Sequence, residues 1–442
     1  MSEKLHNVDE IAAVCSDCGT CLFACPVYNA ELTEPNSPRG KVNIIKALQD
    51  GRLKPGNANK EFLYRCALCG SCEHSCTKSV AFVDMMINFR GELAKGKKIP
   101  FLKKIMLYLY QSFIFRKFVW VVDILAKTPL QGKLGIPRRR KAKSKKLFTS
   151  WKENEGSKVE CDILFFPGCV LTLFYPQIIE DAVKLLERKG YSVVVPKGLE
   201  CCGFPFISQG WTQKFFKMRE KNKEIFSKYA FKYLVVPCGT GVMTFRNYYG
   251  LDGSYEIHEL TEFFYKYMKD VPVNTTFFKQ AQINKRFSGG IASPAGPGGN
   301  LGYNDNNNQE SNIFSDQTAP HTVGQKSPLV DEVKKITWHD PCHHLKSLGI
   351  DSAPRYFMKQ FGENFSDDKS ALCCGFGGIF SVGFPSTSGK ILNRKKEKLD
   401  ELGADIVVTA CPGCYMQLRE RMPGEKEVYF FTDIFKKGLQ FL

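Results

Sequence analysis

The sequence is short of several things, and each shortage narrows the function. The opening residues Met1-Ser2-Glu3-Lys4-Leu5-His6 are polar and lack the apolar core of a secretory leader. The expected compartment is therefore the cytoplasm, where thiols stay reduced. The uncharged run from Ile105 to Phe115 is too short to span a bilayer. No G-x-G-x-x-G opens a βαβ unit, so nothing marks a nicotinamide site. Acidic residues are in deficit, 45 Asp and Glu against 62 Lys and Arg, for a net charge of +17. That charge suits an anionic lipid surface or an acidic protein. No nucleic-acid module accompanies it, so nucleic acid is not an expected partner.

Cysteine is the residue in excess. The 442-residue chain holds 18, too few for a small disulfide scaffold and too clustered for scattered core thiols. Length allows two or three domains with real cores. Cys373-Cys374-Gly375 follows Cys342 with 30 residues between, and 36 residues separate Cys374 from Cys411-Pro412-Gly413-Cys414. The same layout occurs earlier: Cys169, then 31 residues to Cys201-Cys202-Gly203, then 35 to Cys238. A vicinal pair in a reduced protein points to metal or redox chemistry. Its repetition points to an internal duplication.

The first 90 residues carry a different pattern, Cys15-x2-Cys18-x2-Cys21-x3-Cys25-Pro26 and then Cys66-x2-Cys69-x2-Cys72-x3-Cys76. This is the two-cluster ferredoxin run, in which three close thiolates hold one cubane and the fourth serves the other. By that rule one 4Fe–4S cluster takes Cys15, Cys18, Cys21 and Cys76, and the second takes Cys66, Cys69, Cys72 and Cys25. Thr77 replaces the usual proline and removes no ligand. Zinc prefers two separated Cys-x-x-Cys pairs, which this spacing does not provide. Between the runs, Lys41 to Gln49 reads as a core or interface helix without chemistry of its own, carrying Val42, Ile44, Ile45 and Leu48.

Phe101 to Ala126 is aromatic and apolar, and a basic run from Arg138 to Lys146 follows. Two readings stand open: a helix in a membrane interface with basic residues at the headgroups, or a helix packed between domains with a solvated linker. From Asp162 strands and helices alternate. Strands are expected at Ile163–Phe166, Tyr191–Val195 and Tyr233–Val236, with helices over Ile178–Lys189 and Thr212–Tyr229. In the second copy, strands are expected near Ile336 and at Ile406–Thr409, with a helix over Lys390–Leu402. This order argues a mainly parallel α/β layer with the cysteines at strand carboxyl ends. Thr275 to Lys326, rich in Asn, Gly, Ser and Gln, reads as a flexible insertion. Cys161 lies outside the pattern and reads as a buried core thiol on the approach to a strand.

The doubled Cys…Cys-Cys-Gly…Cys-x-x-Cys pattern resembles the cysteine-rich CCG domain. That domain is found in heterodisulfide reductases and in iron–sulfur subunits of glycolate oxidase, lactate-utilisation dehydrogenases and anaerobic glycerol-3-phosphate dehydrogenase. A ferredoxin run followed by two CCG domains is similar to the heterodisulfide reductase D subunit and the glycolate oxidase iron–sulfur subunit. The resemblance implies an α/β fold with an N-terminal ferredoxin-like α-helical two-cluster domain and two duplicated α/β CCG half-domains. The expected layout is a double-cluster domain over 1–98, an aromatic and basic connector over 99–158, a first CCG domain over 159–272, the insertion over 273–333, and a second CCG domain over 334–442.

By the resemblance, five cysteines hold a noncubane 4Fe–4S cluster in the C-terminal copy: Cys342, Cys373, Cys374, Cys411 and Cys414. The N-terminal copy supplies Cys169, Cys201, Cys202 and Cys238, with Gly241 where the fifth would be. A simpler cluster or an empty site are the alternatives there. His339, His343 and His344 flank the complete copy, either as donors to cluster sulfur or proton carriers, or as residues that orient the loop. Asp340 suits loop capping. The resemblance implies an electron-transfer subunit without flavin of its own. Its flavoprotein partner would oxidise a 2-hydroxy acid such as glycolate or lactate, or glycerol 3-phosphate, and pass electrons through this chain to a quinone or another carrier. The alternative is a disulfide reductase with Cys373 and Cys374 at its active site. Peripheral contact with the cytoplasmic face of a membrane belongs to the first reading.

Overall fold

Two parallel four-stranded sheets of the same strand order organise the chain. They appear in a computed structural model that describes residues 8–95, 158–275 and 334–436, apart from Pro55, Pro423 and Glu425. The described residues up to Thr275 and from Lys335 belong to one unit. The aromatic and basic connector and the Asn-rich insertion of the sequence reading lie outside the described residues. No helix among the described residues is long and apolar enough to cross a membrane.

The first sheet runs β2-β1-β3-β4, with β1 Val159–Phe165, β2 Val193–Val194, β3 Tyr229–Val236 and β4 Glu256–Glu259. The second runs β6-β5-β7-β8, with β5 Ile336–Trp338, β6 Phe365–Ser366, β7 Ile406–Thr409 and β8 Glu427–Phe430. All pairings are parallel, for example Ile163↔Tyr233 in the first and Thr337↔Val407 in the second. Continuous apolar runs make these strands, since a parallel strand is covered on both faces. Leu234, Val235 and Val236 are fully buried, as are Val407 and Val408. In each sheet the order reverses between the two central strands, the place where open α/β sheets leave a crevice at their carboxyl edge. Cys169 follows β1 and Cys238 follows β3; Cys342 follows β5 and Cys411 follows β7.

Several expectations need correction. The strand expected over Tyr191–Val195 is two residues long, and the one expected from Ile163 begins at Val159. The short outer strands β4, β6 and β8 were not expected at all. Cys161 lies inside β1 and is only half-buried, because that end of the strand alternates between covered and open positions.

The N-terminal segment is helical, from Val8–Val14 to Phe82–Ala94. Its apolar residues Ile11, Ile45, Leu63, Met85 and Phe89 join one core with Leu164, Phe166 and Phe215 of the first sheet layer. Arg90 fastens the two. Fully buried, it donates to Leu63 O at 2.7 Å, to Cys66 O at 3.3 Å and to Ser208 O at 2.7 Å. The second half is held as well, through Thr387 Oγ1 on Glu31 Oε1 at 2.6 Å.

Glu259 ends β4 and caps the helix Leu260–Tyr267, accepting from Thr261 N at 2.6 Å. It is wholly buried, and desolvation pushes its carboxyl pKa up to about 8 from 4.5. Below pH 4.5 both folded and unfolded chains hold that proton. Between 4.5 and 8 only the unfolded chain releases it, so stability falls as pH rises through this window. Glu259→Gln keeps the cap acceptor and removes the titration. Chemical unfolding should find it no more stable than the parent at pH 4.5, and more stable by roughly 2–4 kcal/mol at pH 8.

Candidate functional site

The cysteines sit where backbone geometry exposes helix N-termini. Cys238 precedes the helix Gly239–Tyr248, and Cys411 precedes Pro412–Arg421, whose Pro412 lacks only an N–H that would be unbonded there. Unpaired N–H groups and the helix dipole favour thiolate at such positions. Each Cys-Cys-Gly ends in a left-handed glycine. Gly203 has φ +90° with the Phe215 ring 2.5 Å from where a Cβ would stand; Gly375 has φ +81° with Ser388 O at 2.6 Å. The turn that presents both thiols inward therefore requires glycine.

All nine cysteines of the two copies line a single cavity of about 840 Å³, and Cys66 and Cys69 of the second ferredoxin run line it too. Phe166, Phe204, Phe376 and Phe380 supply apolar walls. Sulfur atoms meet at several points in it. Cys201 Sγ lies 3.7 Å from Cys169 Sγ, and Cys374 Sγ lies 3.4 Å from Cys414 Sγ. Cys238 of the first half contacts Cys411 of the second. Cys342 contacts both Cys373 and Cys69. The C-terminal set and the second ferredoxin run are thus neighbours.

Hydrogen bonds from Cys373 and Cys414 hold Cys374 well below the usual thiol pKa, and those from Cys238 and Cys414 do the same for Cys411. Cys202 is lowered by Cys201. Cys69 is pushed up by its hydrogen bond with Cys342 and by burial. Every cysteine is free of disulfide. Clustered thiols in an apolar cavity are the donor set of soft, thiolate-bound metal.

A second, smaller cavity is lined by Cys25, Cys66, Cys69 and Cys72, the four residues assigned by spacing to one cubane. Burial pushes Cys25 up to about 11. Lys41 lines this cavity as well. The other ferredoxin set is more open: Cys18 is exposed, and Cys15, Cys21 and Cys76 are half-buried. Cys21 interacts with Cys15. Glu73, facing Cys72, has its carboxyl pushed up to about 7 by burial. These residues fit iron–sulfur clusters in donor type and grouping.

The histidines divide. His343 Nε2 lies 2.8 Å from Leu68 O, and its Nδ1 lies 2.7 Å from Thr240 Oγ1. A carbonyl only accepts, so Nε2 carries the proton and Nδ1 accepts from the hydroxyl. His343 thereby ties both halves to the ferredoxin run. His339 is fully buried, has no hydrogen-bond partner on either ring nitrogen, and shares a 4.8 Å cluster with Cys374 and Cys414. Burial holds its pKa down to about 3, so it is neutral. His344 packs on Gly239, with Nε2 3.5 Å from Glu259 Oε1. Asp340 accepts from Trp338 Nε1 at 3.0 Å and from Arg355 at 2.7 Å, which is a loop-holding role. Sequence reasoning missed Lys41, Arg90 and Lys346. Of these only Lys346, two residues beyond His344, stood beside a cysteine motif.

The comparisons agree with this architecture. A cysteine-rich CCG domain model matches residues 163–246 and again 336–419, and a 4Fe-4S dicluster domain model matches 11–80. The chain thus carries two CCG domains behind a 4Fe-4S dicluster domain and resembles the CCG-domain iron–sulfur oxidoreductases. Among its relatives is the probable glycolate oxidase iron-sulfur subunit of Bacillus subtilis, 23% identical over 95% of this chain and 92% of that one. A fumarate reductase (CoM/CoB) subunit of Methanothermobacter marburgensis is 24% identical over 93% and 68%. Lactate utilization protein A 1 of Bacillus mycoides is 26% identical over 59% and 89%.

Gly375→Ala places a Cβ 2.6 Å from Ser388 O in a left-handed backbone, so it should cost about 2 kcal/mol or more. Gly389→Ala, inside the helix Pro385–Glu401 with open space around it, should instead gain about 0.5–1 kcal/mol. Denaturant titration of both variants checks the pair.

Proposed function

We propose that this chain is the iron–sulfur electron-transfer subunit of a flavin-linked oxidoreductase. A flavoprotein partner would oxidise a 2-hydroxy acid such as glycolate or lactate, or glycerol 3-phosphate, and electrons would leave through this chain to a quinone or another carrier. The observation that carries this reading is that Cys69 of the ferredoxin run lines the same cavity as the C-terminal CCG cysteines and packs with Cys342 on the core cluster that holds Cys373. The glycolate oxidase relative, aligned along nearly the whole of both chains, supports the same assignment.

Bound at these thiols, iron–sulfur clusters would supply one-electron transfer. The chain's own residues do the rest. Cys15, Cys18, Cys21 and Cys76 form the end that carries the exposed Cys18, and Cys25, Cys66, Cys69 and Cys72 line the inner cavity. Cys342, Cys373, Cys374, Cys411 and Cys414 form the C-terminal set, with Cys169, Cys201, Cys202 and Cys238 across the cavity. Phe166, Phe204, Phe376 and Phe380 exclude water, and low dielectric there strengthens charge interactions. His343 fixes the separation of the two halves.

A second reading rests on the shared cavity. Thiols of both copies face one apolar space, and a small disulfide could be cleaved there by two one-electron steps. The fumarate reductase relative, whose name includes CoM and CoB, favours this reading.

Anaerobic native purification distinguishes the two, with flavin absorbance and mass spectrometry of co-purifying chains. The first reading expects a stoichiometric flavoprotein and substrate-dependent reduction of this chain. A flavin-free chain that reduces a disulfide from a one-electron donor would refute it. In that case Cys414→Ser should abolish the activity.

A further inference from the structure

Lys41 is the most unusual charged residue of the N-terminal segment. Ser37 caps the helix Pro38–Gln49, its Oγ accepting from Gly40 N at 2.8 Å, and Gly40 packs against Glu34 O so closely that no Cβ would fit. This tight start turns the next side chain inward. Lys41 is 1% exposed and donates only to the Asn36 carbonyl. Among the described residues no carboxylate pairs with it. Burying an ammonium with one neutral acceptor costs several kcal/mol unless an anion lies near. The cavity that Lys41 lines is lined also by Cys25, Cys66, Cys69 and Cys72.

A second cation stands near the same cysteine set. Lys346 Nζ donates to Ser71 Oγ at 2.6 Å and to Ala371 O at 3.2 Å, and it interacts with Cys69, Cys342 and Cys373. The Arg90 guanidinium reaches the carbonyl of Cys66. Glu73, beside Cys72, opposes these with at most one charge. The first cysteine set differs. Cys18 is exposed, and nearby Arg39 is already paired with Glu34 at 2.8 Å and approaches Asp17 at 3.8 Å. A thiolate-bound cluster is anionic and becomes more so when it gains an electron, so a fixed buried cation favours the reduced form.

We propose that Lys41 and Lys346 bias an added electron toward the second four-cysteine site, setting its potential above that of the exposed first site. The step is transfer of one electron from the first site to the second, with no bond made or broken and no proton moved. The electron comes from the reduced partner. Transfer is then downhill from the surface toward the C-terminal CCG set. This inference rests on the reading of both sets as cubane sites.

The test is an EPR-monitored redox titration of the anaerobic full-length chain, with iron quantified in each variant. Cys18→Ser identifies the first-site signal by its loss. The second site should titrate at the higher potential in the parent. Lys41→Met should lower its reduction equilibrium constant roughly tenfold, about 59 mV for a one-electron couple, and leave the first site in place. Lys41→Arg should restore most of the shift, and Lys346→Met should move the second site in the same direction as Lys41→Met. Unchanged potentials in both methionine variants at full iron content would overturn the proposal alone. Absence of two cubane signals in the parent would overturn the cluster reading and the proposal with it. If Lys41→Met loses iron, Lys41→Arg and Lys346→Met decide, and an unshifted second site in Lys346→Met counts against the proposal.

Discussion

Thiols from three separate stretches of chain are held out of water around one space, and the rest of the fold follows from keeping them there. Sulfur is a weak hydrogen-bond partner, so a desolvated thiol gains little from its neighbours. Here the cysteines of both sheet layers and of the second ferredoxin run chiefly contact one another. Such a grouping makes physical sense when a soft metal group satisfies the sulfurs together.

The two sheets make the convergence possible. Each reverses strand order between its central strands, and that reversal opens a crevice flanked by two cysteines. Facing the crevices toward each other places Cys238 on Cys411. His343 then spans the join, accepting from Thr240 and donating to Leu68 O. Arg90 locks the helical N-terminal segment beneath by saturating carbonyls that a turn would otherwise leave unpaired. Fold and site are therefore one construction: the residues that seal the core also set the distances between sulfurs.

Much of this was legible from sequence because spacing encodes it. The x2-x2-x3 runs assign Cys25, Cys66, Cys69 and Cys72 to one cluster, and these four residues line one cavity. The apolar runs at Leu234–Val236 and Ile406–Thr409 marked the central strands. The outer strands were not legible. Glu256–Glu259 and Phe365–Ser366 are short, and Glu-Ile-His-Glu carries no strand signature beyond alternation. The shared cavity was hidden too, since the contact of Cys238 with Cys411 joins residues far apart in the chain. The helix from Lys41 was read as having no chemistry. Periodicity located its apolar face, but Lys41 is buried because of the cap at Ser37 and the close approach of Gly40 to Glu34, which periodicity does not register.

Adjacency of the second ferredoxin set to the C-terminal CCG set is the central claim, and magnetic coupling tests it most directly. EPR of the fully reduced, anaerobically purified chain should show signals broadened or split by spin–spin interaction, and Cys342→Ser should simplify them while the ferredoxin-type signals persist. A parent spectrum that is the plain sum of uncoupled signals, unaltered in coupling by Cys342→Ser, would contradict the account.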